Sequence, residues 1–278
     1  MSEGRVLVTG ADGQVGRALR QVLRGADLRS RSELDVTDES AVAAAVEGAA
    51  VVVHLAAMTD VDGCEADPAA AARVNEGGTR AVAAAARAAG ARVVYLSTDY
   101  VFAGDRPPYG EDDPPRPLNV YGRSKLAGEG YLDPRRDLVV RTSWVFGDGR
   151  NFVRTILSAA GKGTPRVVDD QVGRPTSAAM LARALATVAE RPELTGRLHV
   201  AGDGPPCSWA DLADAALAAA GRDVRVERVD SAAYAATASR VIAPRPADST
   251  LALERARREG VPLEDWRKSL DEYVRGIG

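Results

Sequence analysis

The sequence predicts an α/β fold in which a doubly wound parallel sheet is followed by a smaller C-terminal lobe. Two observations over residues 1–150 predict it: short valine-rich apolar runs alternate with alanine-rich helical stretches, and a glycine-rich turn follows the first run. This order of elements builds parallel sheets that carry helices on both faces. After about residue 150 the alternation loosens. Residues 151–278 are therefore predicted to form mainly a substrate-binding lobe over the strand ends, from which strands or helices can return to the first domain.

The elements follow from apolar periodicity and from capping residues. Asp38 suits the N-cap of the second helix, and Gly90 is placed to end the third. In the first domain we predict, in chain order, a strand in "RVLVTG", a helix over 14–24, a short strand in "DLRS", a helix over 38–47, a strand in "AAVVVHLAA", a helix over 68–89, a strand in "ARVVYLST", a proline-rich loop over 104–117, a helix over 119–132 and a strand in "DLVVRTSWV". In the lobe we predict helices over 151–160, 176–190, 208–220 and 263–275, and strands near 166–168, 197–201 and 224–229.

Composition excludes several classes of function. The net charge is −3 with both signs interspersed, which gives no basis for binding nucleic acid or a membrane surface. The two cysteines, Cys64 and Cys207, are too few for a disulfide framework and lack metal-ligand spacing. No apolar stretch approaches the roughly 20 residues that cross a bilayer, and the first apolar run leads directly into a glycine loop rather than a signal-peptide cleavage site. We expect a cytoplasmic protein.

The glycine-rich turn in "VTGADGQVGRAL" predicts a dinucleotide site. Its G-x-x-G-x-x-G spacing allows the tight turn and the close approach of backbone to a pyrophosphate, and the helix that follows supplies N–H donors. The position after a first strand and before a helix is the context such a motif requires. We therefore expect a Rossmann-type domain. The turn residues expected to contact the cofactor are Gly10, Asp12, Gly13, Gln14, Val15 and Gly16.

The end of the second strand favours NADPH, with NADH as the alternative. An acidic residue there would bind the ribose hydroxyls and reject a 2′-phosphate, but Asp27 comes too early for that position. Arg29, Ser30 and Arg31 lie where a 2′-phosphate could be met. Because exposed arginines are common in this chain, the assignment rests on position alone.

Three side chains suit the reduction of a carbonyl group. Thr98 ends a predicted strand, and Tyr121 and Lys125 lie one turn apart on one face of a predicted helix. Tyrosine, whose pKa is ordinarily near 10, is a poor acid at neutral pH unless a nearby cation stabilises the phenolate. We predict that Tyr121 is the general acid, that Lys125 lowers its pKa and holds the nicotinamide ribose, and that the Thr98 hydroxyl orients the ketone.

Several stretches together resemble the dTDP-4-dehydrorhamnose reductase family, which belongs to the extended short-chain dehydrogenases. The resemblance covers essentially the whole chain. The stretches are "STDYVF" (97–102), "PLNVYGRSKLAGE" (117–129), "RTSWVFG" (141–147), "DDQVGRPT" (169–176) and "RPADSTL" (245–251). The resemblance implies reduction of the 4-keto group of dTDP-4-dehydro-L-rhamnose to dTDP-L-rhamnose by NAD(P)H.

At matching positions the resemblance assigns further roles. Thr98, Tyr121 and Lys125 would be the catalytic residues, with Tyr121 and Lys125 also touching the cofactor. Further cofactor contacts would come from Asp35, Val36, Leu55, Ala56 and Ala57. Substrate contacts would come from Thr59, Asp62, Thr98, Asp99, Trp144 and Arg245, with Trp144 as a wall of the pocket and Arg245 paired with a phosphate. Asn75 would support the loops, and for His54 we favour no ligand role.

A metal site and the oligomeric state stay open. Some members of the family use Mg²⁺ held by glutamates at a dimer interface, but the helix after the glycine loop carries arginines here. We assign no metal ligand, leave magnesium uncertain, and expect a monomer or a homodimer.

Three alternatives compete with this interpretation. A related reductase of antibiotic biosynthesis, such as a dihydrostreptose-type synthase, would share the same catalytic residues. A sugar epimerase would need an acid–base pair such as Cys and His; no cysteine lies between Thr98 and Tyr121, and His199 falls in a predicted strand. A non-catalytic NADP-binding regulatory subunit, like that of methionine adenosyltransferase, would not need the intact catalytic residues.

Overall fold

The computed structural model describes residues 4–277, and they form an α/β structure around one parallel sheet. Its strands are β1 (Arg5–Thr9), β2 (Asp27–Arg29), β3 (Ala49–His54), β4 (Arg92–Thr98), β5 (Leu138–Thr142), β6 (Val145–Phe146), β7 (Arg166–Val168), β8 (Val172–Gly173), β9 (Thr176–Ser177), β10 (Gly196–His199), β11 (Cys207–Ser208) and β12 (Glu227–Val229). Its α-helices are α1 (Gln14–Val22), α2 (Glu39–Val46), α3 (Val61–Ala66), α4 (Pro68–Ala71), α5 (Gly78–Ala89), α6 (Val120–Glu129), α7 (Phe152–Ala159), α8 (Ala178–Ala189), α9 (Trp209–Ala219), α10 (Ser231–Ala236), α11 (Glu254–Arg258) and α12 (Trp266–Ile277).

Six strands form the main sheet in the order β10-β5-β4-β3-β1-β2, and every neighbouring pair is parallel. The chain moves from β1 to β2 on one side and then returns to β3 on the other. Such a reversal leaves a crevice above the carboxyl ends of the strands, where ligands of this architecture bind. The predicted doubly wound parallel sheet is confirmed.

The strands carry apolar side chains on both faces, as their continuous apolar runs predicted. Because successive side chains of a strand point to opposite faces, neighbouring valines enter different layers. One layer packs α1 and α8 against the sheet through Val8, Val53, Val94, Val140, Leu19, Leu181 and Leu185. The other packs α2 and α5 against it through Leu7, Val52, Val93, Val139, Val42, Val82 and Ala86.

The helix predicted over 68–89 is present but interrupted. α4 runs into a π-helical turn over Ala72–Gly77 before α5 continues to Gly90, whose φ of +72° ends it. The wider turn carries the fully buried Asn75, whose amide group hydrogen-bonds Met58 and Ser124. Periodicity could not show this turn, because the apolar pattern continues through it.

Other predicted boundaries needed correction. The strand predicted over 137–145 ends at Thr142, since Trp144 has a left-handed backbone with φ of +46°. The helix predicted to reach 132 ends at Glu129. Helices α3, α10 and α11 were not predicted, and each is six residues or shorter. Asp38 caps α2 as predicted, accepting hydrogen bonds from the N–H groups of Ser40 and Ala41.

The second half of the chain contributes to both parts of the molecule. α8 packs on α1, and β10 joins the main sheet beside β5. The other lobe elements form three two-stranded pairs, β6–β9, β7–β12 and β8–β11, with α7, α9 and α12 packed around a separate apolar cluster. A division of the chain at residue 150 stays a prediction. Among residues 4–277, no helix is both long and apolar enough to span a bilayer.

Candidate active site

The three predicted catalytic residues lie on two neighbouring elements. Thr98 is the last residue of β4 and is paired in register with Thr142 at the end of β5. Tyr121 and Lys125 lie in the first two turns of α6. The cap of this helix, Asn119, accepts a hydrogen bond from the N–H of Gly122 and donates one to the carbonyl of Pro244. The start of α6 is therefore fixed to a distant segment of the lobe.

Tyr121 is half-buried, and desolvation is the largest influence on its pKa. Desolvation raises the pKa of its phenol above the ordinary value, the charge of Asp99 raises it further, and the neighbouring Thr98 hydroxyl opposes both. The phenol therefore carries its proton at neutral pH in the cofactor-free protein. The predicted lowering of the Tyr121 pKa by Lys125 stays a prediction, because it concerns the complex with cofactor and substrate in which Tyr121 gives up its proton.

Lys125 is almost wholly buried, with its ammonium group 4.1 Å from the centroid of the Tyr95 ring. Burial lowers the pKa of Lys125 to about 7, while the charge of Glu129 opposes this shift. The side chain is thus poised between its charged and neutral forms at neutral pH. A cofactor hydroxyl could stabilise the charged form here.

A buried ion pair supports this lysine. Glu129, one turn after Lys125, accepts hydrogen bonds from Arg141 Nε at 3.0 Å and from Arg141 Nη2 at 2.7 Å, and Ser97 donates to it at 2.6 Å. Arg141 lies in β5 and is fully buried. Sequence reasoning did not assign these residues. The available signal was an arginine inside an apolar strand together with a glutamate four positions after the lysine.

Asp99, predicted to touch substrate, is enclosed by hydroxyl groups. Thr98 Oγ1 donates to its Oδ1 at 3.0 Å, and Ser249 Oγ donates to its Oδ2. No cation forms an ion pair with this carboxyl among residues 4–277, and burial raises its pKa to about 7. Ser249 lies in the "RPADSTL" stretch but was not singled out. A substrate contact for Asp99 stays a prediction.

The glycine turn has the shape that a pyrophosphate site needs. Gly10 has φ of +75°, and a Cβ at this position would come within 2.7 Å of the Ala56 backbone nitrogen. The turn therefore packs directly on the "HLAA" segment, where Leu55 N–H also donates to the Thr9 carbonyl. Beside it, Gln14 Oε1 is buried without a hydrogen-bond partner in the described residues. The free N-terminus of α1 and this unpaired oxygen fit a bound dinucleotide.

The other predicted turn residues differ in exposure. Val15 and Gly16 are buried, whereas Asp12 is exposed and 3.7 Å from Arg20. Of the residues after β3, Leu55, Ala56 and Ala57 are half-buried beside the turn. The His54 ring is fully buried and hydrogen-bonded to the Thr9 and Thr79 hydroxyls through its two nitrogens. The absence of a ligand role for His54 stays a prediction.

The residues predicted to select NADPH are not equivalent. Arg29 binds Asp27 at 2.6 Å, and the buried Ser30 donates to Glu33. Arg31 is exposed and forms no ion pair within the described part of the chain. Arg31 is therefore the side chain that remains available for a 2′-phosphate. Nearby, Asp35 is exposed and accepts hydrogen bonds from Thr37, while Val36 is buried.

Two predicted substrate residues bind each other. Arg245 Nη2 lies 2.8 Å from Asp62 Oδ1, and the same carboxyl group accepts from the N–H of Ala243 and pairs with Arg240 at 3.2 Å. Asp62 thus fastens the segment over 240–245 to α3. The expected pairing of Arg245 with a phosphate would require it to share or leave this carboxylate. Thr59 is exposed on the loop before α3.

Trp144 is half-buried and stacks on Trp209, with ring centroids 3.7 Å apart and an interplanar angle of 8°. Trp209 was not predicted as a site residue. Residues 4–277 contain no group of three or more His, Cys, Asp or Glu side chains placed to hold a metal.

Comparisons with known proteins agree over nearly the whole chain. A family described as the RmlD substrate binding domain matches residues 4–277. The dTDP-4-dehydrorhamnose reductase of Mycolicibacterium smegmatis is 41% identical, over 98% of this chain and 86% of the relative. A probable dTDP-4,6-dihydroxy-2-methyloxan-3-one 4-ketoreductase of Streptomyces antibioticus is 40% identical, over 96% of this chain and 94% of the relative. The crystal structure of dTDP-4-dehydrorhamnose reductase from Bacillus anthracis in complex with NADP has a TM-score of 0.89 at 34% identity and covers 99% of both chains.

Proposed function

The chain belongs to the dTDP-4-dehydrorhamnose reductase family, and from this premise we propose that it reduces the 4-keto group of dTDP-4-dehydro-L-rhamnose with NADPH. The observation that carries the proposal is the arrangement of Thr98, Tyr121 and Lys125 at the carboxyl edge of the sheet that also carries the glycine turn. The product is dTDP-L-rhamnose.

The binding of the cofactor rests on three parts of the chain. The turn around Gly10 and the N-terminus of α1 hold the pyrophosphate, and Arg31 meets the 2′-phosphate. Lys125 hydrogen-bonds the nicotinamide ribose from α6. When bound, the reduced nicotinamide supplies the hydride that the substrate carbon accepts.

The proton comes from Tyr121. Because burial raises its pKa, the phenol holds this proton until negative charge develops on the carbonyl oxygen. Thr98 donates a hydrogen bond to the same oxygen, and Lys125 stabilises the phenolate that remains. Solvent returns the proton to Tyr121. The sum is one hydride and one proton added across the carbonyl group, which becomes an alcohol.

A second candidate keeps the chemistry and changes the sugar. The Streptomyces antibioticus relative is named for a different dTDP-linked ketone, and its identity of 40% is close to the 41% of the rhamnose enzyme from Mycolicibacterium smegmatis. Overall identity therefore does not separate the two substrates.

Turnover tests the proposal and separates the candidates. Purified protein should oxidise NADPH when dTDP-4-dehydro-L-rhamnose is supplied, and NMR of the product should show dTDP-L-rhamnose. Tyr121→Phe should abolish turnover, because the proton donor is lost, while the variant should still bind NADPH. No NADPH oxidation by the wild type would reject the function. A kcat/KM higher for dTDP-4,6-dihydroxy-2-methyloxan-3-one would select the second candidate.

A further inference from the structure

Trp144 and Trp209 form a close parallel stack that joins the carboxyl ends of the sheet strands, where the candidate active site lies, to the lobe. Their ring centroids are 3.7 Å apart, and both side chains are half-buried. Trp209 is the first residue of α9, while Trp144 follows β5. The contact therefore spans 65 positions of sequence and two parts of the structure.

The backbone of Trp144 is unusual. Its φ of +46° makes it the one non-glycine residue with positive φ among residues 4–277. A bulky residue in this region is strained and persists only where its surroundings hold it there, and such strain collects at functional sites. The indole nitrogen is also buried without a hydrogen-bond partner in the described chain, although tryptophan N–H groups usually find one. Packing therefore places this ring.

The packing comes from a slot built by the lobe. One wall is Gly173 of β8, where a Cβ would come within 2.7 Å of the Trp144 indole. The other wall is Trp209, which follows β11, the antiparallel partner of β8. The side chain of Ser208 in β11 caps α9 through the N–H of Asp211, and Phe152 also contacts Trp209, in a tilted arrangement with centroids 4.6 Å apart. Both walls are thus held by the antiparallel pair of β8 and β11.

The slot sets the position of Trp144 relative to the reacting groups. Thr142 pairs in register with Thr98, and Trp144 follows two residues later. Because Trp144 follows so closely the strand end that pairs with Thr98, we expect a shift of its ring to alter the proposed sugar site. Within residues 4–277, the aromatic partners of Trp209 are Trp144 and Phe152, and no hydrogen bond joins Trp209 to a catalytic residue, so we expect its influence on the reaction to pass through Trp144.

We propose that Trp209 is a positioning residue: by stacking on Trp144 in its left-handed conformation, it fixes the aromatic wall against which the sugar nucleotide binds. This inference rests on the proposed function. It adds a residue from the lobe to substrate recognition and assigns Gly173 the role of admitting the indole ring.

Steady-state kinetics test the proposal. Trp209→Leu should raise the KM for dTDP-4-dehydro-L-rhamnose about tenfold, equivalent to about 1.4 kcal/mol, with kcat changed less than about twofold. The KM for NADPH should not change. Trp209→Phe, which retains an aromatic ring, should have a KM for dTDP-4-dehydro-L-rhamnose close to that of the wild type. Trp266→Phe is the control, because this third tryptophan is buried and donates to the Pro205 carbonyl instead of joining the stack.

Circular dichroism tests the stack without turnover. Two indole rings in contact give an exciton couplet, which should be present in the wild type and in Trp266→Phe and absent from Trp209→Leu and Trp209→Phe. A wild type without the couplet would overturn the proposal. So would a lost couplet in Trp209→Leu with an unchanged KM for the sugar nucleotide, since the stack would then have no part in binding.

Failure of the proposed reductase function can be distinguished from failure of the positioning role of Trp209. If the wild type did not reduce dTDP-4-dehydro-L-rhamnose, the positioning role would be tested by titrating dTDP and following tryptophan fluorescence. Binding about tenfold weaker in Trp209→Leu than in Trp266→Phe would support the positioning role. Equal binding would overturn it.

Discussion

The Thr98 hydroxyl donates a hydrogen bond to Asp99, with Oγ1 and Oδ1 3.0 Å apart. A hydroxyl has one proton, so Thr98 cannot donate to the substrate while it donates to an ionised Asp99. Thr98 Oγ1 already accepts from the N–H of Tyr100 at 3.1 Å. Protonation of Asp99 would allow the carboxyl to donate instead and would release the Thr98 proton toward the ketone. The charge of Asp99 is therefore coupled to the predicted role of its neighbour.

The pKa of Asp99 predicts how stability depends on pH. Burial raises it from 3.8 to about 7. Between these values the native carboxyl keeps a proton that the unfolded chain has lost, so the free energy of unfolding should fall as pH rises, by at most about 1.4 kcal/mol per pH unit. Asp99→Asn should remove this contribution. Denaturant titrations of both proteins across the window measure it, and parallel pH curves would contradict the prediction.

Lys125 should show the opposite dependence. Burial lowers its pKa from 10.5 to about 7, so between these values the unfolded chain binds a proton that the native protein does not. The free energy of unfolding contributed by this group rises with pH across the window. Lys125→Met should therefore stabilise the protein most below about pH 7, while it lowers turnover. Thermal unfolding of both proteins over this range checks the sign; a stability gain that grows with pH would contradict it.

Glu129 and Arg141 should be energetically coupled, so that removing both destabilises the protein less than the sum of the two single losses. Removing one partner of a buried ion pair typically costs about 3–5 kcal/mol. Without Arg141, the Glu129 carboxylate would keep a longer ion pair, at 3.8 Å to Arg197. Arg141 already has one buried nitrogen, Nη1, without a partner in the described residues. We expect Arg141→Met and Glu129→Leu each to be strongly destabilising and the double variant less so than their sum. Urea unfolding in a double-mutant cycle measures the coupling, and additive losses would show that the pair is not coupled.

Sequence alone predicted the parts of the protein that local patterns encode. Apolar runs such as 51–53 identified the sheet strands, since a strand buried on both faces needs no polar alternation. The spacing of Tyr121 and Lys125 placed both on one helix. The contacts that position them were out of reach, because they join residues far apart in sequence. Ser249 reaches Asp99 across 150 positions, and the pairing of Trp209 with Trp144 has no local signature.

Local strain and short helices were missed for a related reason. The strand predicted to include Trp144 ends earlier because the lobe holds that residue in a left-handed conformation, which its own sequence disfavours. Helices α10 and α11 have six and five residues, too few for an apolar period to emerge.

The preference for NADPH should depend on Arg31 more than on Arg29. Arg29 is already paired with Asp27, whereas Arg31 is exposed and forms no ion pair with the described residues. Arg31→Ala should lower the ratio of kcat/KM for NADPH to that for NADH about tenfold, the loss expected for one charge-assisted contact to phosphate. Arg29→Ala should change it less. Arg24→Ala is the matched control, since Arg24 is exposed and precedes the amino end of β2, whereas Arg31 follows its carboxyl end. An equal ratio in the Arg31 and Arg24 variants would remove Arg31 from cofactor selection.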